Sequence, residues 1–268
     1  ASMTPTCGLA AGYAATAVGL DGQPIPDATC AWTFKDGSDA TVGTSDDCAS
    51  SAPFPEGTVV GSVVVTDPAS ECHDAADSAA VNVYPPLDVD PWMLGSCMLE
   101  FTYGADPSGG SGSSACAWAF AGPAPNETSS ATASGTMGVS KPGPYTGSVT
   151  CTDDRDDITC TASGEAGADV YAPLGIDIRP GAISSCASDA VTYYADVSYG
   201  SGAATVSWTV DGNATCAGET SCTVNPSDAM YCGDIPVQAS ATDNICGSAD
   251  SEIEMYRKLT SITATNNP

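Results

Sequence analysis

The stretch Cys30-Ala31-Trp32-Thr33-Phe34-Lys35-Asp36-Gly37-Ser38 alternates large apolar with small or polar residues and then runs into an Asp-Gly turn. That is the pattern of a half-buried β-strand closed by a turn. Its anchor recurs at Cys116-Ala117-Trp118-Ala119-Phe120 and Val206-Ser207-Trp208-Thr209-Val210, with the tryptophans 86 and 90 residues apart. A second marker keeps the same period: Tyr84-Pro85-Pro86-Leu87, Tyr171-Ala172-Pro173-Leu174 and Tyr256-Arg257-Lys258-Leu259. Between the markers each repeat carries an alternating run ending in Thr-Asp, at Thr66-Asp67, Thr152-Asp153 and Thr242-Asp243. Two independent markers on one period define three repeats. Short β-branched runs broken by Gly, Pro, Asp and Ser, with no long 3.6-residue periodicity, make the chain all-β. The repeats span residues 1–86, 87–173 and 174–258, and 259–268 forms a C-terminal strand or tail.

Thirty-three acidic residues against six basic ones, in 268, give a formal charge of −27. Such a chain repels phosphate backbones and anionic lipid, which excludes nucleic acid and membrane surfaces as partners. No apolar run reaches the length of a membrane span, so membrane insertion is not expected. The charge suits cations or glycans, or it simply keeps a β-rich surface soluble.

Thirteen cysteines place the chain in an oxidising compartment, outside the cell or at its surface. A single histidine, His73, and no Cys-x-x-Cys spacing argue against zinc. One pair of positions recurs in every repeat, an early cysteine (Cys7, Cys97, Cys186) and one after the Thr-Asp run (Cys72, Cys160, Cys246). Pairing within each repeat gives Cys7–Cys72, Cys97–Cys160 and Cys186–Cys246, each closing about 60 residues, a constraint on the order of 4 kcal/mol in the chain-entropy model. Secondary pairs are Cys30–Cys48, Cys116–Cys151 and Cys216–Cys222, which leaves Cys232 unpaired, as a buried thiol or as half of a bridge to another chain. Ala and Gly fill many strand positions, so each small core needs such staples.

Trp32-Thr-Phe34-Lys-Asp36-Gly37, then Glu56-Gly57 and Val63-Val64-Val65-Thr66-Asp67, resembles the W-x-F-x-D-G and G-x-Y-x-V-x-V-x-D pattern of PKD-type immunoglobulin-like domains. The second repeat keeps Gly143-Pro144-Tyr145 without the Asp-Gly turn, and the third keeps Trp208 and Asp211-Gly212 in a shifted register. The resemblance implies three tandem, disulfide-stapled β-sandwiches in an extracellular setting, where such domains act as spacers in surface-layer proteins, adhesins and appendage fibres. It names no ligand.

The repeats and the ends of the sequence are out of phase. The first repeat is expected to lack its opening strand, and 259–268, carrying Leu259 and Ile262, reads as an extra one. A strand donated to a neighbouring copy would join subunits head to tail; a segment of a longer array, or a free tail, explains the same phase.

Other sites are few. Asn126-Glu-Thr128 and Asn213-Ala-Thr215 are N-glycosylation sequons. Acidic loops (Asp67, Asp74 and Asp77; Asp153, Asp154, Asp156 and Asp157; Asp243) offer hard oxygen ligands for calcium or are solvated turns. Trp92 reads as a linker aromatic and the repeat tryptophans as core. No nucleophile elbow or phosphate loop is present and His73 adjoins a cysteine, so no enzyme is expected, and no cofactor beyond calcium. The sequence reads as a structural subunit of an extracellular filament or appendage whose partners are copies of itself. Its alternative is a calcium-dependent adhesin or a carbohydrate-binding spacer of a larger secreted protein.

Overall fold

The computed structural model describes residues 1–19, 21–70, 72–123, 133–155, 158–181, 190–224 and 235–255, with backbone only at 235 and 255. Among the described residues all regular structure is β. The first sandwich contains β1 (Ser2–Pro5), β2 (Ala10–Ala14), β3 (Thr29–Asp36), β4 (Thr41–Ser45), β5 (Ala49–Pro53), β6 (Gly57–Thr66), β7 (His73–Asp77) and β8 (Val81–Val83). One sheet has the order β1-β2-β5; the other has β4-β3-β6-β7, with β8 also on β6. The second comprises β9 (Asp88–Gly95), β10 (Glu100–Ser108), β11 (Ala115–Ala121), β12 (Ser134–Gly138), β13 (Gly143–Arg155) and β14 (Ile158–Val170), in sheets β12-β10-β9 and β11-β13-β14. The third comprises β15 (Gly175–Pro180), β16 (Val191–Ser198), β17 (Thr205–Val210), β18 (Asn213–Thr215), β19 (Ser221–Val224), β20 (Ile235–Asp243) and β21 (Gly247–Met255), in sheets β15-β16-β19 and β18-β17-β20-β21. All named pairings are antiparallel, and the chain passes between the two sheets in the same order each time, which is the immunoglobulin-like sandwich three times over. The expectation that the first repeat lacks its opening strand is corrected: β1 is present, although it pairs only Ala11–Ala14 of β2, whereas β9 pairs eight residues of β10.

Three separate apolar clusters hold the sandwiches, and each is centred on its repeat tryptophan, Trp32, Trp118 or Trp208. In the first two, the tryptophan stacks on the phenylalanine two residues later, Phe34 or Phe120, at 5.6 and 5.5 Å between ring centroids. A tyrosine from the facing sheet, Tyr13 or Tyr103, meets both rings. Three rings in so small a core leave no room on the strand beside them. Opposite Phe34 and Phe120 stand Gly61 and Gly147. A Cβ at Gly147 would lie 2.8 Å from the Trp118 ring and 2.9 Å from both Met93 Sδ and Phe120. The third sandwich solves the same volume problem differently, with Val210 opposite a fully buried Val237.

This exchange predicts that Gly147→Val destabilises the second sandwich by roughly 1–3 kcal/mol, the usual cost of overpacking. Combining it with Phe120→Val restores the valine pair of the third sandwich, so the double variant should lose clearly less than the sum of the two single losses in urea denaturation. Simple additivity would show that the two sites do not share one volume.

Candidate functional site

The chemistry of this chain is concentrated where one sandwich meets the next. In each sandwich the opening hairpin turns at one end and the last hairpin at the other. The tip after β6 lies beside the residues that follow β2, while the tip between β1 and β2 lies at the far end of the same strand. In the first two repeats the early and late cysteines, Cys7 and Cys72 and then Cys97 and Cys160, occupy these opposite tips. They cannot pair with each other, because a disulfide requires Cα atoms within about 7 Å.

They pair across the junctions instead. Cys7 bonds Cys160 and Cys97 bonds Cys246, with Cα–Cα distances of 5.4 and 5.3 Å. The expected pairs Cys7–Cys72 and Cys97–Cys160 are therefore replaced, and Cys246 is taken by Cys97 rather than Cys186. The early cysteines of the first and second sandwiches thus reach the late cysteine of the sandwich that follows. Within sandwiches the bonds are Cys30–Cys48, Cys116–Cys151 and Cys216–Cys222. Among the described residues the free cysteine is Cys72, and it is exposed; Cys186 and Cys232 lie outside them.

The Tyr-x-x-Leu segments run through the same junctions. Tyr84–Leu87 lies over the loop after β10: Gly110 N donates to Pro85 O at 3.0 Å, and a Cβ on Gly109, at φ +71°, would stand 2.0 Å from Pro86 O. Only glycine tolerates both that backbone and that approach. Arg155 stacks over the Tyr84 ring at 4.6 Å and its Nη1 lies 3.4 Å from Asp153 Oδ2. At the second junction Gly200 N donates to Ala172 O at 3.3 Å. Tyr171 is also clamped to the tip of the preceding sandwich, donating to Ser96 O at 2.9 Å and accepting from Leu99 N at 3.1 Å. The first linker is thus hydrogen-bonded to the sandwich it enters, and the second to both sandwiches it joins.

The aspartates of the Thr-Asp runs organise these ends. Asp153 is fully buried and accepts hydrogen bonds from Ser111 N, at 2.6 Å, and from Ser111 Oγ. Burial pushes its carboxyl up, but the two Ser111 bonds and the Arg155 charge outweigh that and hold it below the usual carboxylate range. Asp243 accepts from Ile245 N (2.8 Å), Cys246 N (3.0 Å), Ser201 N and Ser201 Oγ (both 2.7 Å). The Ile245 N–H first, then the Ser201 hydroxyl and the Cys246 N–H, lower its pKa to about 2. The carboxylate therefore fixes the backbone of the cysteine that bridges to Cys97. The first sandwich departs from this scheme. Asp67 turns to its own loop, accepting from Ser70 Oγ at 2.6 Å and Ala69 N at 2.9 Å, which holds its pKa down in that order.

Among the described residues no three His, Cys, Asp or Glu side chains converge on a metal-sized site. Asp67, Asp153 and Asp243 serve as hydrogen-bond acceptors of loops, Asp74 and Asp77 lie exposed along β7, and Asp154 accepts from Thr159 Oγ1. Asp156 and Asp157 lie outside the described residues, as do Asn126, Leu259 and Ile262. Asn213 is exposed, opening β18 after the Asp211-Gly212 turn. Trp92 is not a linker residue: it sits in β9 and covers Gly104 of β10, where a Cβ would come within 2.4 Å of its ring. His73 is exposed at the start of β7. Sequence reasoning missed Ser111 and Ser201, although each follows a glycine seven residues before its repeat tryptophan, a marker that the first repeat does not carry.

No protein-family model matches the chain, and no curated protein matches it in sequence. Among solved structures it is similar to the three N-terminal domains of the highly immunogenic outer capsid protein (Hoc) of bacteriophage RB49. The identity is 13%, with 96% of this chain and 99% of that chain covered, at a TM-score of 0.44. It is also similar to the three-domain ectodomain of mouse nectin-like molecule 4 (10% identity, 97% and 98% covered, TM-score 0.39). The N-terminal four immunoglobulin domains of Dscam1 isoform 6.9 align at 11% identity with 96% and 72% covered, at a TM-score of 0.38. The fold assignment rests on the strand order. This chain consists of tandem immunoglobulin-like domains.

Two predictions follow from the aspartates. Asp153→Ala leaves Arg155 buried without its carboxylate partner and should cost the second sandwich about 3 kcal/mol in urea denaturation, with Asp153→Asn losing less because it still accepts from Ser111. For Asp243, a folded-state pKa near 2 against an ordinary 3.8 means that its contribution is complete above about pH 5 and fades as pH falls through 2. The thermal midpoint of Asp243→Asn should lie below that of the parent chain at pH 7, and the gap should close on acidification to pH 2. A gap that persists at pH 2 would contradict the assignment.

Proposed function

We propose that the chain is the structural subunit of an extracellular filament or surface appendage, assembled head to tail from immunoglobulin-like domains of the PKD type, and that it acts without catalysis or cofactor. The observation that carries this reading is the covalent clamping of both junctions. Domains joined by a plain linker move relative to one another by default. Here a disulfide and a hydrogen-bonded linker tie each domain to the next, which suits a part that transmits tension rather than one that samples partners. Ten cysteines in five bonds support an oxidising, extracellular setting. The charge of −27 opposes side-by-side contact between copies and leaves end-to-end contact as the productive one.

Strand donation fits the same assembly. Because β1 covers only four residues of β2, a strand from residues 259–268 of a neighbouring copy, carrying Leu259 and Ile262, extends that short edge by strand addition. Glycans on Asn213, and on the second sequon at Asn126, would shield the flanks of such a fibre.

Negative-stain electron microscopy of the non-reduced protein, with and without residues 259–268, tests the reading. Fibres from the full chain and only short rods from the truncated one are expected. Short rods from both would overturn the filament, and fibres from both would overturn the role of the tail.

A further inference from the structure

Arg155 is one of only six cations in the chain, and it is buried beside a sulfur. Its Nη2 donates to Cys160 Sγ at 3.3 Å, its guanidinium stacks over the Tyr84 ring, and its Nη1 lies 3.4 Å from Asp153 Oδ2. That carboxylate is already engaged by Ser111 N and Oγ, and neither Nε nor Nη1 of Arg155 makes a hydrogen bond. Asp154, the next acid along β13, is exposed on the opposite face of the strand and accepts from Thr159 Oγ1. A disulfide sulfur is a weak acceptor, so the buried cation is poorly compensated as it stands. A thiolate at the same place would give it a full ion-pair partner. The two sulfurs of the bridge also differ in access, since Cys7 is exposed and Cys160 is only 1% exposed.

We propose that the Cys7–Cys160 bridge is a thiol-exchange site that works as a latch: a thiol donor attacks Cys7 Sγ, Cys160 departs as a thiolate onto the Arg155 guanidinium, and the first junction opens while the second stays shut. The inference goes beyond the filament reading and stands without it. A sulfur stabilised as its thiolate leaves faster, and stabilising the reduced form makes a disulfide easier to reduce. The second junction supplies the contrast within the same molecule. Cys97 and Cys246 are both half-buried, so neither is presented as Cys7 is. Two residues after the Thr-Asp aspartate, where the second domain has Arg155, the third has Ile245, 62% exposed. The charge beside Cys246 is instead the Asp243 carboxylate, which accepts from Cys246 N at 3.0 Å and so disfavours a thiolate there. One bridge has an accessible sulfur backed by a cation behind its partner, and the other bridge has neither.

The donor is a dithiol. One of its sulfurs, as the thiolate, forms a bond to Cys7 Sγ while the Cys7–Cys160 bond breaks and its electron pair goes to Cys160. The donor's second thiol then attacks its own sulfur in that mixed disulfide, which closes the donor's disulfide and releases Cys7. Two electrons pass to the chain; of the two protons the donor gives up, Cys7 takes one and solvent the other, because Cys160 stays ionised against Arg155. What then holds the junction is the Tyr84–Leu87 linker, with Gly110 N donating to Pro85 O.

The test treats the folded full chain, with the exposed Cys72 blocked by alkylation beforehand, with dithiothreitol for timed intervals. Each sample is quenched in acid, unfolded and alkylated, and mass spectrometry follows every bridge. Cys7 and Cys160 should become alkylated at least tenfold faster than Cys97 and Cys246. With the monothiol glutathione in place of the dithiol, the adduct should sit on Cys7 and the free thiol on Cys160. Arg155→Met removes the charge at similar length and should slow opening of Cys7–Cys160 about tenfold, and Arg155→Lys, which keeps the charge, should restore most of the rate. A purely structural role for Arg155 gives the opposite sign, because a loosened second sandwich would expose its bridges and speed their reduction; Cys116–Cys151, followed in the same samples, reports such loosening. Opening of Cys97–Cys246 first or at an equal rate, an adduct on Cys160, or an unchanged or faster rate in Arg155→Met would each overturn the latch.

Discussion

Everything in this chain depends on a bond between hairpin tips: the early cysteine of one sandwich reaching the late cysteine of the next. An immunoglobulin-like sandwich places its opening and closing hairpins at opposite ends, so the tip that leaves one domain faces the tip that receives it on the next. A disulfide there does more than restrict the unfolded chain. It fixes the axis along which domains stack, and the linker and buried aspartates are then set to that geometry, with Asp243 gripping the backbone beside Cys246 and Asp153 gripping Ser111 near the Tyr84 linker. Thin cores become affordable, because a domain rich in Ala and Gly is braced by its neighbours.

The cores vary while the junctions repeat. The first two domains pack three aromatic rings against a glycine, and the third packs valine against valine in the same place. Core volume can be satisfied in more than one way so long as the sum is kept. The junction admits less freedom, since Gly109 and Gly200 must accept positive φ and close approach together, and Asp153 and Asp243 must each meet a serine seven residues ahead of the repeat tryptophan.

The fold was legible because its signals are periodic: Trp32, Trp118 and Trp208 each sit at a core centre, and the Thr-Asp runs are the strands β6, β13 and β20. The short-range cysteine pairs were legible too, since their members lie at most 35 residues apart along the chain, and Cys116 and Cys151 face each other on the paired strands β11 and β13. The long-range ones were not. A cysteine repeated once per domain at each of two positions fits pairing within a domain and pairing to the next equally well, and only the direction of β2 relative to β6 decides between them. The acidic loops misled for a related reason, because spacing along the chain does not reveal whether a carboxylate faces water or a ring of N–H donors.

The overlap of the two long disulfide loops has a mechanical meaning. A pull applied before Cys7 and after Cys246 need not travel along the whole backbone, for the shortest covalent route crosses from Cys7 to Cys160, returns through Cys151 and Cys116 to Cys97, and crosses again to Cys246. That route contains about 30 residues of backbone, roughly 100 Å at full stretch, in place of the roughly 800 Å that an unbridged segment of this length would release. The first and third domains lie almost wholly off the load path, so they can unfold and refold without lengthening the molecule. The chain behaves as a strap of limited slack rather than as a spring of unravelling beads.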